Sequence, residues 1–416
     1  MTSSNDVDLE LAAYLRARST RHAPEGLLDA TMVRVESGRQ RGWLRVVPQV
    51  LDSGSVRQLW TVTRTVAIAI VIGLLSALAL MLALVVGSPQ LIPPTPTLAR
   101  PGLITFDAAG RIWVAERDGS GRHPITFGPA LDSGPVWSHD GTRIAYVSQH
   151  GALAPLEVRV IDERGDNGVT VARVLTDPGP IDWSPNDRNL AFSAKLEGSL
   201  LPQLVLVSLD RPEAHSIGPA DLGARDPIWS PDGRDIAFER ANPEDGLWII
   251  GVDGSGLRRL STVSGSGEAF RRPAWSPDGR RIVFRAGGDG AHRIFTIDRD
   301  GRNERPLDSP FLDNGSPAWS PDGSAIAWTG SAGPGNPPHE IVIVDRDGSN
   351  ARFLETPPLL EPAVLAWSPD ARRLLTFLDD QHTSLVVLDA TGRDGPIRIP
   401  AASSFGGASW QRLTSP

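Results

Sequence analysis

The sequence predicts an all-β fold, a seven-bladed β-propeller whose first blade is completed by the C-terminus, preceded by one transmembrane helix and a short α-helical cytoplasmic arm. Three observations predict it. Tryptophans at 137, 183, 229, 275, 319, 367 and 410 head copies of one unit at spacings of 43 to 48 residues, and a period of about 40 to 50 with four short strands marks propeller blades. The 42 Gly and 36 Pro in 416 residues favour many turns over long helices. Residues 66–87 form an uncharged apolar run of 22 residues, about 33 Å as a helix and enough to cross a bilayer core.

Composition narrows the function. Lys and Arg total 41 against 49 Asp and Glu, a net charge of −8, which argues against a generally basic nucleic-acid binder. With no cysteine, disulfides, thiolate metal sites, iron–sulfur clusters and a cysteine nucleophile are all excluded.

Residues 1–65 read as a cytoplasmic arm with two short helices. Pro24 and Gly38 bracket one of them, and Leu28, Met32 and Val35 fall along one stripe. So short a segment buries little core alone, so a cytoplasmic partner or the membrane surface is expected for it. Arg45, Arg57 and Arg64 precede the span while only Arg100 follows at similar distance, which places the N-terminus in the cytoplasm and the large C-terminal part outside. The span itself, residues 66–87, reads as a signal anchor in the cell membrane. Residues 88–101 hold five prolines and read as an extended linker. At about 3.1 Å per residue it holds a domain some 40 Å from the membrane.

Residues 102–416 carry the repeats. VWSHDGTRIAY (136–146), DWSPNDRNLAF (182–192), IWSPDGRDIAF (228–238), AWSPDGRRIVF (274–284), AWSPDGSAIAW (318–328) and AWSPDARRLLTF (366–377) are copies of one unit. Its tryptophan and the aromatic nine or ten positions later are expected to fill the space between neighbouring blades. S-P-D-G makes a tight connection, with Pro fixing φ, Asp bonding back to the backbone and Gly accepting positive φ. A third strand ends in an Asp-Gly turn before a short fourth. The stretch from 102 to 126 supplies second, third and fourth strands with no Trp-bearing first strand, and Ser409-Trp410-Gln411 supplies the missing one. Both termini therefore close one blade and remove exposed sheet edges.

The WSPDGxxIAF unit followed by a DxDG turn resembles the TolB-type β-propeller repeat, a relative of the WD-type repeats, over residues 102–416. The resemblance implies the propeller fold and a family that ranges from the periplasmic partner of peptidoglycan-associated lipoprotein to the propeller regions of prolyl-oligopeptidase-like peptidases. TolB carries a separate α/β domain before its propeller, and nothing in this sequence corresponds to it. Residues 14–41 are somewhat similar to the tails of membrane-anchored anti-sigma-like proteins, without an HxxxCxxC zinc motif.

In such a blade the WSPDG and DxDG turns share one face, and the variable loops share the other. Recognition is expected on the variable face, by a protein or peptide. Asp182, Asp226, Glu268, Phe270, Arg271, Arg272 and Asp313 lie at the ends of the blade-to-blade loops, where mixed charges suit an acidic or peptide ligand. Asp182 stands out because the other residues before each tryptophan are Val136, Ile228, Ala274, Ala318, Ala366 and Ser409. His150, His292, His339 and His382 fall in second-to-third-strand loops and read as surface residues rather than metal ligands. The turns at 298–303 and 345–350 open like calcium loops but lack the closing glutamate, so plain turns are expected. No G-x-S-x-G elbow, P-loop, HExxH or Rossmann glycine pattern is present. The expected function is non-enzymatic binding or sensing without cofactor or metal. The alternatives are a scaffold in an envelope complex and, behind it, an enzyme with a channel-mouth site.

Overall fold

A computed structural model describes residues 98–413 apart from 197, 241–244, 262, 264–272, 289–290, 316, 332–338, 360–365, 379–383 and 401–406. The expected arm, span and most of the linker lie outside these residues. So do Glu268, Phe270, Arg271, Arg272 and His382. Every regular element among the described residues is a β-strand.

The strands form seven antiparallel sheets, one per blade. Blade 1 is ordered Ala408–Leu413, Arg100–Ala108, Arg111–Ala115, His123–Pro124, so the C-terminal strand is the innermost one, as the orphan Trp410 implied. Its ladder starts with Arg100 opposite Leu413, two residues inside the segment read as linker. Blade 2 runs Leu131–Trp137, Arg143–Gln149, Leu156–Asp162, Val169–Val174. Blades 3, 4, 5 and 7 follow the same order from first strands Asp182–Trp183, Ala224–Trp229, Ala274–Trp275 and Ala366–Trp367.

Blade 6 departs from four strands. Its first strand is split into Asp313–Asn314 and Ala318–Trp319, both paired with Ala325–Ser331. Pro317 has no N–H to donate, so the ladder breaks there. The corresponding prolines of blades 2 and 4, Pro135 and Pro227, sit in register shifts between Ser133 and Val136 and between Arg225 and Ile228.

The core lies between blades rather than within them. Seven apolar clusters fill the seven interfaces. Trp137, Tyr146, Ile112 and Val114 join blades 1 and 2, for example, and Trp410, Phe106, Phe377 and Leu385 join blades 7 and 1. Trp183 is 1% exposed and Phe192, Phe238 and Phe284 are fully buried, and each such side chain contributes roughly 1.5–3 kcal/mol by its removal from water. The indoles of Trp183, Trp367 and Trp410 donate to the carbonyls of Val136, Ala318 and Ala366 in the preceding blade, at 3.1 to 3.3 Å.

The WSPDG turns have the chemistry expected of them. In blade 5, Ser276 Oγ donates to Asp278 at 2.6 Å, Gly279 N donates to Ser276 O at 2.8 Å, and Gly279 has φ +66. Blade 1 lacks this turn, and the chain enters and leaves there instead. First strands run toward the turn face and second strands away from it, so Leu413 and Arg100 both lie at the turn face. The variable loops occupy the opposite end of the channel.

Candidate functional site at the channel mouth

Side chains alternate along each innermost strand, so the residue before each buried tryptophan faces the channel. Val136, Asp182, Ile228, Ala274, Ala318, Ala366 and Ser409 are all half-buried, which fits a ring around the axis. Asp182 is not simply solvated. Its Oδ2 accepts the backbone N–H of Trp229 in the next blade at 2.7 Å, as Ser409 Oγ accepts that of Trp137 at 3.0 Å. Both satisfy an N–H that an innermost strand would otherwise leave unpaired.

At the loop-face mouth a cavity of about 210 Å³ lies among blades 1, 2 and 3, lined by the segments Ser133–Val136, Gly179–Ile181 and Gly407–Ser409, with Asp177 and Val147. Small side chains and prolines make up most of its lining. Asp107, buried beneath, holds two of these segments by accepting the N–H groups of Gly407 at 3.2 Å and Gly134 at 3.4 Å. A cavity of this size is below the roughly 300–1,000 Å³ usual for small-molecule sites. It suits a single side chain or chain end of a polypeptide, of the kind that anchors an interface.

Asp226 borders it. The residue is left-handed at φ +46, within the register shift before Pro227, and its Oδ1 lies 4.0 Å from where a Cβ on Gly179 would be. Asp177 accepts the N–H of Gly179 at 2.9 Å. Two carboxylates thus flank the blade 3 side of the mouth.

Asp313 is placed elsewhere, at the interface of blades 5 and 6. There it meets His292 Nδ1 at 2.6 Å and Arg285 at 3.3 Å, all three side chains largely buried. Arg285 also lies 2.6 Å from Nδ1. That nitrogen cannot both donate to Asp313 and accept from Arg285, and an Nδ1–H given to Asp313 leaves the guanidinium to share the carboxylate. His292 therefore belongs to the strand Ala291–Asp298 and to a polar cluster, not to a surface loop. His339 likewise begins the strand His339–Asp345, whereas His150 is exposed.

Among the described residues no group of His, Cys, Asp and Glu is arranged to hold a metal ion. The calcium-like turns use their carboxylates internally, with Asn303 donating to Asp298 and Asn350 to Asp345, each at 2.6 Å.

Sequence reasoning missed Asp107, Asp177 and Arg285. A carboxylate inside the apolar run ITFDA (104–108) was a signal available for Asp107. Arg285 could be paired with Asp313, 28 residues away, only by the fold.

These features define a closed seven-bladed propeller with a recognition-sized mouth on its variable face. The chain belongs to the TolB β-propeller domain family, whose model matches residues 105–369. It is similar in fold to TolB from Acinetobacter baumannii, at 18% identity and a TM-score of 0.50 over 76% of this chain and 81% of that one. Oligogalacturonate lyase from Vibrio parahaemolyticus is another such fold, at 16% identity and a TM-score of 0.53 over 70% of this chain and 88% of that one. A segment of 109 residues is 32% identical to YuxL of Bacillus subtilis (strain 168), described as an uncharacterized peptidase. The match spans 24% of this chain and only 16% of that relative.

Proposed function

We propose that the protein is a non-enzymatic binding or sensing module held outside the cytoplasm by residues 66–87, with its loop face as the recognition surface. The observation that carries this reading is the opposition of the two faces. The chain enters the ring at the turn face, where Arg100 pairs with Leu413, while the mouth cavity opens at the other end. The loop face therefore lies clear of the point where residue 98 joins the ring. Glu268, Phe270, Arg271 and Arg272 are proposed as part of that surface, and residues 1–65 as a relay to a cytoplasmic partner.

One observation favours the related reading of a scaffold in an envelope protein complex. Phe127, Leu153 and Leu200, on the loops of blades 1 to 3, are 74%, 101% and 88% exposed, and apolar groups set on one rim suit a protein-sized contact better than a small ligand.

Protease added to spheroplasts should digest the propeller and spare residues 1–60; a protected propeller overturns the orientation. With the full chain as bait, replacing Phe127, Leu153 and Leu200 together by Ser should abolish capture of the scaffold partner. Arg271→Ala with Arg272→Ala should weaken capture of a mouth ligand with the melting temperature unchanged. Asp278→Ala, in a turn, should act only through loss of folded protein.

A further inference from the structure

On the turn face, guanidinium groups cover core tryptophans at three interfaces. Arg143 Cζ lies 5.2 Å from the ring centroid of Trp183, Arg281 5.6 Å from Trp319, and Arg299 5.5 Å from Trp275. Each is fixed by further hydrogen bonds, Arg143 to Asp187 O at 2.6 Å, Arg281 to Arg346 O at 3.2 Å, and Arg299 to Asp232 and Asp235. These distances are within the roughly 6 Å over which a cation is attracted to an aromatic face.

Arg143 and Arg281 are each six positions after their own blade's tryptophan, and each reaches the tryptophan of the next blade. In blade 3 that position is Asn189, too short to cover Trp229. A cavity of about 370 Å³ lies there instead, lined by Trp229, Asn186, Asn189, Leu206, Val252 and His215. Arg188, beside Asn189, is exposed.

We propose that this cavity is a binding site for a guanidinium group from outside the chain, which takes the place that Arg143 and Arg281 occupy at their interfaces. The indole supplies an aromatic face, Leu206 and Val252 an apolar edge, and the amide oxygen of Asn189 an acceptor for N–H groups, while that of Asn186 is engaged in its own turn, accepting from Ser184 Oγ at 2.7 Å and Arg188 N at 3.1 Å. Asp232 also lines the cavity, but its carboxylate is shared with Arg299 at 2.7 Å, so the site offers an aromatic face and a neutral acceptor more than net charge. Such a site favours the planar, weakly hydrated guanidinium over a compact ammonium. The group's source is either a free small molecule or an arginine side chain of a polypeptide. The site is on the face opposite the channel mouth and does not depend on the function proposed above.

Calorimetric titration of the full chain tests it with L-arginine amide and with acetyl-Gly-Arg-Gly-amide, each against its citrulline counterpart, which keeps shape but not charge. The arginine probes should bind saturably and the citrulline probes about tenfold more weakly; the tighter of the two arginine probes identifies the source. Asn189→Arg should abolish binding and raise the melting temperature by supplying the cation internally. Asn189→Asp should strengthen binding several-fold, and it keeps the test decisive if the arginine variant folds poorly. Equal affinity for citrulline, no saturable binding of either arginine probe, or arginine binding unchanged by Asn189→Asp overturns the proposal.

Discussion

His139 stands where five other turns have proline, and Asp187 of the next blade where the others have glycine or alanine. At the ordinary interfaces the glycine rests near the preceding proline, and a Cβ on Gly279 would lie 3.6 Å from Pro231 Cδ. At the exception, Asp187 accepts His139 N at 2.7 Å, its Nδ1 at 3.0 Å, and Asp140 N at 2.8 Å. Burial opposes charge on His139, but the bond to Asp187 and the charge of Asp182 outweigh it, and the imidazole pKa is raised. A raised native pKa means that the stabilisation is complete below the ordinary value, about pH 6.5, and fades as pH climbs through the native one. His139→Gln should therefore be less stable than the parent near pH 5.5, with the gap closing toward pH 9 in thermal melts. The ring is partly exposed, so the gap should stay below about 1 kcal/mol. Asp182→Asn should lower the His139 pKa in an NMR titration, because it removes a charge that raises it. Nothing in the sequence joined these residues, since Asp182 and Asp187 lie in a different repeat from His139 and only stacking of blades brings their carboxylates to it.

Within a blade, by contrast, the sequence is explicit. Trp-to-aromatic spacing, the S-P-D-G turn and the Asp-Gly turn act over ten residues or fewer, where covalent geometry leaves little freedom, and the strands and buried faces fall where the motif puts them. The split first strand of blade 6 was legible in Pro317 only once the partner strand was known. The placement of loop residues such as Asp313 was not legible, because it depends on how two blades meet. Glycines separate local from global requirements. Gly134 and Gly141 both have positive φ, +63 and +70, yet a Cβ on Gly134 would meet nothing within 4 Å, while one on Gly141 would lie 2.2 Å from Arg412 O. Gly134→Ala should cost about 1 kcal/mol in denaturant unfolding, the price of a left-handed alanine. Gly141→Ala should cost several times that, because it also pushes the closing strand away. Equal losses would show that the strand Ala408–Leu413 yields freely.

For the ring as a whole, that strand is decisive. Trp410 belongs to the core between blades 7 and 1, and Gln411, buried, accepts from Leu103 N at 2.9 Å and donates to Gly141 O at 2.8 Å in blade 2. Removing residues 406–416 uncovers both interfaces and exposes the edge of Arg100–Ala108. Losses of several kcal/mol are expected against a typical total of roughly 5–15, and the truncated chain should aggregate in light scattering at temperatures where the intact one does not. A truncated chain that melts like the full one would mean that blade 1 is not closed by the C-terminus.

The same pairing decides how the ring answers a mechanical pull. A force on residue 98 runs lengthwise into Arg100–Ala108, which is bonded to Ala408–Leu413 on one side and Arg111–Ala115 on the other. It must shear two ladders together rather than peel one bond after another, so an extending load on the N-terminus meets the fold where it is doubly gripped. The C-terminal strand, the innermost of the sheet, has a ladder partner on only one side. A pull on residue 413 should open the ring at lower force than a pull on residue 98.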